Sequence, residues 1–435
     1  MTKTLHSMTR RDFCASTLLS AGTMLGAGSL LNACGNSASG TGSKTVALTA
    51  ASWFGPDRGK VRTTNLQDII ASFQKKHPGV TIKWNTFSDY DTIIRTRVAA
   101  GNVPDLIALR PGTSMYPFIQ ANTAVDLSNQ PWTQNIVAST KEISSYRGKV
   151  YGLPLGESVI GTVYNKEIFA RLHLEVPTSW DDFLHVCQKI KSAGIIPLAL
   201  GNKDQWVDQL IPYAMAPSAI FRETPDFDVQ MLAGKRTFAG SSWKQMMQDY
   251  VALSKQGFVN EGALGTTYDQ SAQLVARGKA AMVVNGDWIV SPIQAANPKI
   301  QLGMFPFPYT QKGKAPWVAS SLSGLLGVSA KSAYQKESLA FLQYWAQPEN
   351  MSEYLTLQGY YSSLTNIQTK VSGPSKDMIE PLKAGSYNFL DAHWPDGVQT
   401  VMLKDIQSVF AGSLSIDQML TDMDQAYQSN KSKIA

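Results

Sequence analysis

Three carboxylates stand where the chain leaves a run of apolar residues. Glu157 follows the break at Pro154 and Gly156, Asp204 follows Ile195–Leu200, and Asp287 follows Ala280–Asn285. Two of them adjoin an indole, in Asp204-Gln205-Trp206 and Gly286-Asp287-Trp288. Two chemistries are open to such a set. A pair of carboxylates roughly 5–10 Å apart can cleave a glycosidic bond, one as acid and the other as base or nucleophile. The second chemistry is binding without cleavage. An indole offers a flat, slightly negative face to the C–H face of a ring bearing hydroxyls on its rim, and full burial of one large side chain is worth about 1.5–3 kcal/mol. The rim hydroxyls need polar partners, because each one buried without a hydrogen bond costs affinity. Trp206 and Trp288 each bring a platform and rim partners together. For either, the alternative is a ring that plugs the core beneath its loop.

The elements that must position these residues follow from periodicity. Thr45–Ala50 predicts a strand. Leu66, Ile69, Ile70 and Phe73 predict an amphipathic helix that stops at His77-Pro78-Gly79. Val80–Phe87 alternates as a strand, Asp89 can cap a helix carrying Ile93, Ile94 and Val98, and Asp105–Leu109 is a short buried strand. Strands alternating with helices imply a parallel sheet, and open α/β sheets place ligands at the carboxyl ends of their strands. Three such ends carry Trp53-Phe54, Ser88-Asp89, and Arg110 with Tyr116 nearby. Further on, Asn165 can cap a short helix, and Thr178 and Asp181 stand at capping-box spacing before a helix near Trp180. Trp180, Phe183, Leu184, Cys187 and Ile190 form its apolar face. Ser415 and Gln418 repeat the capping-box spacing before a C-terminal helix.

Composition bounds the possibilities. At 435 residues, 43% hydrophobic and 17% charged, the chain is a globular protein too long for one core. Its net charge of +6 includes +2 from Lys3, Arg10, Arg11 and Asp12 near the N-terminus. No basic run interleaved with aromatics appears, so no nucleic-acid partner is expected. The five histidines, His6, His77, His173, His185 and His393, are scattered, so no metal is expected. No phosphate-binding loop or G-x-S-x-G elbow occurs, and neither a cofactor nor a disulfide framework is expected.

At the N-terminus, Thr9-Arg10-Arg11-Asp12-Phe13 resembles a twin-arginine export signal. Leu31-Asn32-Ala33-Cys34-Gly35 resembles a lipobox, with Asn32 where a small residue is usual. Residues 1–33 are thus expected to be an export signal and 34–43 a flexible tether, with Cys34 lipidated and the protein held outside the cytoplasm at a membrane.

Several longer words occur in a fixed order. They are FQKKHPGVTI at 73–82, GNVPDLIAL at 101–109, KVYGLPL at 149–155, VYNKEIF at 163–169, VPTSWDDF at 176–183, and GKAAMVVNGDW at 278–288, followed by SLSGLLGVSAKSAYQKESLAFLQYWAQPENMSEYL. Together they resemble the extracellular solute-binding proteins of ABC importers, in their carbohydrate-binding branch. The resemblance implies an α/β, two-lobed periplasmic-binding-protein fold, with a mainly parallel sheet flanked by helices in each lobe. It implies lobe I at 44–157 and 308–360, lobe II at 158–307 and 361–435, and three hinge crossings near 155–161, 303–311 and 358–364. It implies a monomer that is not an enzyme, captures a sugar between its lobes and delivers it to permease subunits. The alternatives are a non-sugar solute on the same fold, or a glycoside hydrolase. The ligand-binding residues expected are Trp53, Phe54, Ser88, Asp89, Arg110, Tyr116, Glu157, Ser158, Asp204, Gln205, Trp206, Gly286, Asp287, Trp288, Ser323, Tyr360 and Tyr361. In this family a ligand-stacking aromatic is often found at the position of Trp288.

Overall fold

A computed structural model describes residues 45–56 and 65–434. The twin-arginine pair, Cys34 and the tether lie outside these residues. Among the described residues no helix is long and apolar enough to cross a membrane.

The first sheet begins with Val46–Ser52 (β1), Val80–Thr86 (β2) and Leu106–Leu109 (β3), with β1 parallel to both β2 and β3. The crossover helix Leu66–Lys76 buries Leu66, Ile69, Ile70 and Phe73, the stripe its spacing requires. The second crossover helix, Tyr90–Ala99, has Asp89 at its N-cap position, but the carboxylate makes no capping bond. A hairpin of Ser145–Tyr146 (β4) and Lys149–Val150 (β5) follows, then Leu153–Pro154 (β6). Two residues later the chain enters a different sheet as Glu157–Asn165 (β7).

Around β7 stand Ile196–Leu198 (β8), Ala280–Gly286 (β9), Leu302–Phe305 (β10) and Val318–Leu322 (β11). Leu325–Val328 (β12) returns to the first sheet, and Ser386–Tyr387 (β13) lies at the edge of the second. The strand orders are β2-β1-β3-β12-β6 and β13-β11-β7-β9-β8, with β10 also paired to β7. Each sheet has its own core. Phe73, Phe341, Leu342 and Trp345 sit under the first, and Phe183, Tyr213, Trp243 and Phe307 under the second. Two sheets with separate cores, each flanked by helices, give two lobes.

The sheets are mainly parallel, as expected, with one strand in each, β12 in the first and β7 in the second, running against the others. β7 runs antiparallel to β9, β10 and β11, and β12 runs antiparallel to β3 and β6. The cause is connectivity. β7 and β12 each enter their sheet straight from the other one across two residues, without the helical crossover that a parallel return requires. The second crossing departs from its expected place near 303–311. Residues 302–305 are the strand β10 of the second sheet, and the chain passes back at Ser323-Gly324, between β11 and β12. The segment 308–360 therefore contributes to both sheets. Tyr361 exchanges backbone hydrogen bonds of 2.8 and 2.9 Å with Glu157, at the start of β7.

Two caps illustrate local control. Asn165 accepts from the amides of Glu167 and Ile168, as its side chain predicts. The cap of the helix Trp180–Ser192 is Ser179, which accepts from Asp182, rather than Thr178 one residue earlier. Thr178 instead donates to the Asp182 carboxylate.

Candidate functional site

Register places the functional edge. In the first sheet, β1, β2 and β3 all end at one edge, and Leu325 at the start of β12 pairs with both Leu109 and Pro154 there. In the second sheet Glu157 pairs with Leu322, and Ile160 pairs with Gly286 and Ala319. The start of β7 and the ends of β9 and β11 therefore share an edge. The crossings at 155–156 and 323–324 join the two edges, so the gap between the lobes is lined from both sides by strand ends.

On the first side, Trp53 follows β1. The Arg110 guanidinium lies over its indole at 4.1 Å, and Arg110 makes a two-point pair with Asp91 at 2.9 and 3.3 Å. Burial works against both charges, but their mutual attraction prevails, so Asp91 titrates below its ordinary value and Arg110 above. A side chain on Gly324 would sit 2.7 Å from the same indole. The second crossing thus needs glycine to pass Trp53, and one face of Trp53 is taken by Arg110. Phe54 turns inward instead, against Trp84 at 6.0 Å.

On the second side, Trp288 is half-buried where β9 ends, 6.3 Å from Phe389. A Cβ on Gly286 would fall 2.1 Å from its ring, so glycine lets the indole lie back over the strand end. Asp287 departs from the rim role expected of it. It is 2% exposed, one oxygen accepts from the Val159 amide at 3.4 Å, the other has no protein partner, and burial raises its pKa well above the ordinary value. Glu157 is half-buried at the crossing, and desolvation pushes its carboxyl up to about 7. Ser158 and Ser321 face one another across β7 and β11, both fully buried, with hydroxyls lacking a protein partner.

The remaining expected residues are dispersed. Ser88 and Asp89 are exposed past β2, and Tyr116 packs on Tyr146 at 4.6 Å. Asp204 accepts from the Tyr268 amide at 2.6 Å, Gln205 is exposed, and Trp206, 37% exposed, stands 5.0 Å from the Tyr268 ring. Ser323 donates to the Leu155 carbonyl at 3.0 Å, so it ties the crossing together. Tyr361 donates to the Ser375 carbonyl at 2.6 Å. Tyr360 is 8% exposed and belongs to the first core. A surface depression of about 350 Å³ lined by Lys203, Leu264, Lys404 and Gln407 includes none of these residues.

Asn388–Asp396 did not stand out in the sequence. Phe389 faces Trp288, and the charge of Asp391 reaches Arg110 from the opposite lobe. Its signal was an acid- and aromatic-rich run, NFLDAHWPD, between Gly385 and Gly397.

Residues 60–352 match the family described as bacterial extracellular solute-binding protein. The chain is 26% identical over 345 residues to the multiple sugar-binding protein of Streptococcus mutans, covering 77% of this chain and 80% of that one. It is 25% identical over 315 residues to the melibiose/raffinose/stachyose-binding protein of Bacillus subtilis, covering 70% and 71%. Among solved structures, a sugar transporter of Bacillus licheniformis in complex with stachyose superposes with a TM-score of 0.76 at 22% identity, covering 88% of this chain and 100% of that one. A solute-binding protein in complex with raffinose gives 0.72 at 22% identity, covering 90% and 100%. With the match spanning most of the chain, on two lobes whose strand ends face one another, the protein belongs to the bacterial extracellular solute-binding proteins.

Proposed function

We propose that the chain captures an oligosaccharide between its lobes and delivers it to the permease of an ABC importer. The observation that carries this is the pairing of edges. Trp53 with Arg110 and Trp288 with Glu157 stand at strand ends that short crossings hold opposite one another. The names of the relatives point to the same ligand class.

The charges argue against the alternatives. Arg110 is already paired with Asp91, which leaves little positive charge for an anionic solute. Asp287 is buried, which takes it out of the pair of carboxylates that a glycosidase must present to the cleft. The test is a set of thermal melts against mono- and oligosaccharides, with product analysis. A ligand that binds only the native state raises the melting temperature by mass action. Raffinose or stachyose should raise it with no hydrolysis products. Products would make the protein a hydrolase, and a flat response across the panel would remove sugars as its ligands.

Cys34 would carry a lipid that holds the domain at the outer face of the membrane, with residues 34–43 as tether. Cys34→Ala should move the protein from the membrane fraction to the soluble one. Continued membrane association of that variant would rule out the anchor.

A further inference from the structure

Arg110 is held in place by residues of its own lobe. Tyr90 is 2% exposed, and its hydroxyl donates to the Ala108 carbonyl at 2.7 Å. That bond pins the start of the helix Tyr90–Ala99 to β3, two residues before Arg110. Asp91 therefore has a fixed place beside the end of β3. It lies in the first turn of its helix, where the helix dipole favours a carboxylate. Trp53, just past β1, completes the holder, with its indole 4.1 Å from the guanidinium and 5.4 Å from the Tyr90 ring. Trp53, Tyr90, Asp91 and Arg110 all belong to the first lobe, so their arrangement does not depend on how far apart the lobes stand.

The edge by which Asp91 meets Arg110 matters chemically. A guanidinium takes a carboxylate best through two parallel N–H donors. Asp91 occupies the side-on pair, in which Nε donates to Oδ1 at 3.3 Å and Nη2 to Oδ2 at 2.9 Å. Nη1 takes no part in this pair. The Arg110 and Asp91 side chains are 39% and 52% exposed, and ion pairs so solvated add little stability. The effect of the pair falls instead on what approaches Arg110 from the gap. Asp391 of the second lobe reaches the guanidinium by charge alone, and its carboxyl is bonded to the Tyr213 hydroxyl, so it does not compete for the side-on edge.

We propose that Asp91 is a specificity-determining residue, which makes the cleft accept neutral sugars and reject acidic ones by standing where a ligand carboxylate would pair with Arg110. This role rests on the capture of a sugar between the lobes and extends it to the charge class of that sugar. Two effects act together. The side-on fork is already filled, and a uronate arriving at Nη1 would face the Asp91 carboxylate, a like-charge contact that disfavours the wrong ligand. A sugar hydroxyl accepting from Nη1 meets neither obstacle. Trp53 contributes by holding the guanidinium plane, so that Arg110 stays with Asp91 rather than swinging to the ligand.

The test compares raffinose, which is neutral, with digalacturonate, which carries carboxylates, by calorimetric titration. The proteins are wild type, Asp91→Asn, Asp91→Glu, and Asp91→Asn combined with Arg110→Gln. Thermal melts check that each folds, and Asp91→Ser serves as a second neutral variant. Wild type should bind raffinose and bind digalacturonate far more weakly. Asp91→Asn should bind digalacturonate about tenfold more tightly than wild type does, and the gain should shrink as salt is raised. The gain should be absent from Asp91→Glu, which restores the carboxylate, and from the double variant, which lacks the guanidinium. A residue that only supported the fold would weaken both ligands together and leave their ratio unchanged. An unchanged ratio in Asp91→Asn would overturn the role, as would a gain that survives in the double variant. If raffinose does not bind wild type, the capture of neutral sugars fails on its own. Digalacturonate binding to wild type and to Asp91→Asn then still decides what Asp91 does.

Discussion

Trp288 is the residue on which the affinity prediction turns. Its indole lies back over Gly286, is half-buried, and has Phe389 beside it. The fully buried Trp243 and Trp345 make a clear contrast, since both belong to the cores and would cost several kcal/mol of stability if truncated. Trp288→Ala should weaken raffinose binding by about 2 kcal/mol, about 30-fold, the scale of an interface hot spot. The urea midpoint of the free protein should change far less than for Trp243→Ala. Calorimetric titration and urea melts on both variants separate the effects. A large loss of stability with little loss of affinity would make Trp288 a core residue. Trp53 is a weaker platform than its position at the end of β1 suggests, because Arg110 already covers one face.

The strand β7 is the element that joins site and fold. Its first residue, Glu157, holds the Tyr361 backbone and pairs with Leu322, so two of the passages between the lobes meet at one strand end. The residue before it explains how tightly. Gly156 has φ of +96°, and a Cβ there would fall 2.2 Å from the Leu355 methyl and 3.1 Å from the Tyr361 carbonyl oxygen. A two-residue crossing between sheets must turn sharply within a packed core, and only glycine does so without strain. The other end of β7 is set by Asn165, whose side chain starts the next helix. The strand has both ends specified by local chemistry, while its partners β9, β10 and β11 come from far along the chain.

At the scale of the whole molecule, buried carboxyls set the response to pH. Desolvation raises Glu157 to about 7 and Asp208 to about 8, from ordinary values of 4.5 and 3.8. The native state then binds more protons than the unfolded chain between those values, so stability falls as pH rises. For Glu157 the contribution is fully present below about 4.5 and is lost as pH passes through about 7. For Asp208 the loss extends to about 8. Urea unfolding from pH 5 to 9 should show wild-type stability declining across this window. Glu157→Gln should make the decline between about 4.5 and 7 shallower and leave the slope due to Asp208 and Asp287. Identical slopes for wild type and variant would show that Glu157 titrates normally in the folded protein.

The sequence by itself determined the local elements and the family. Spacing marked the buried stripe of Leu66–Lys76, Asn165 marked its helix start, and the runs ending at Trp53, Arg110 and Trp288 marked strand ends. These are legible because hydrogen bonding and burial within a few residues decide them. Tertiary structure alone decided the direction of β7, the crossing at Ser323-Gly324, and the inward turn of Asp287 and Tyr360. Each depends on which distant strand completes a sheet, and a two-residue crossing leaves the same local pattern as a loop within one lobe. The segment Asn388–Asp396 was hidden for the same reason. Its aromatic and acidic residues acquire meaning only when Thr113 and Arg95, far away along the chain, come to rest against it.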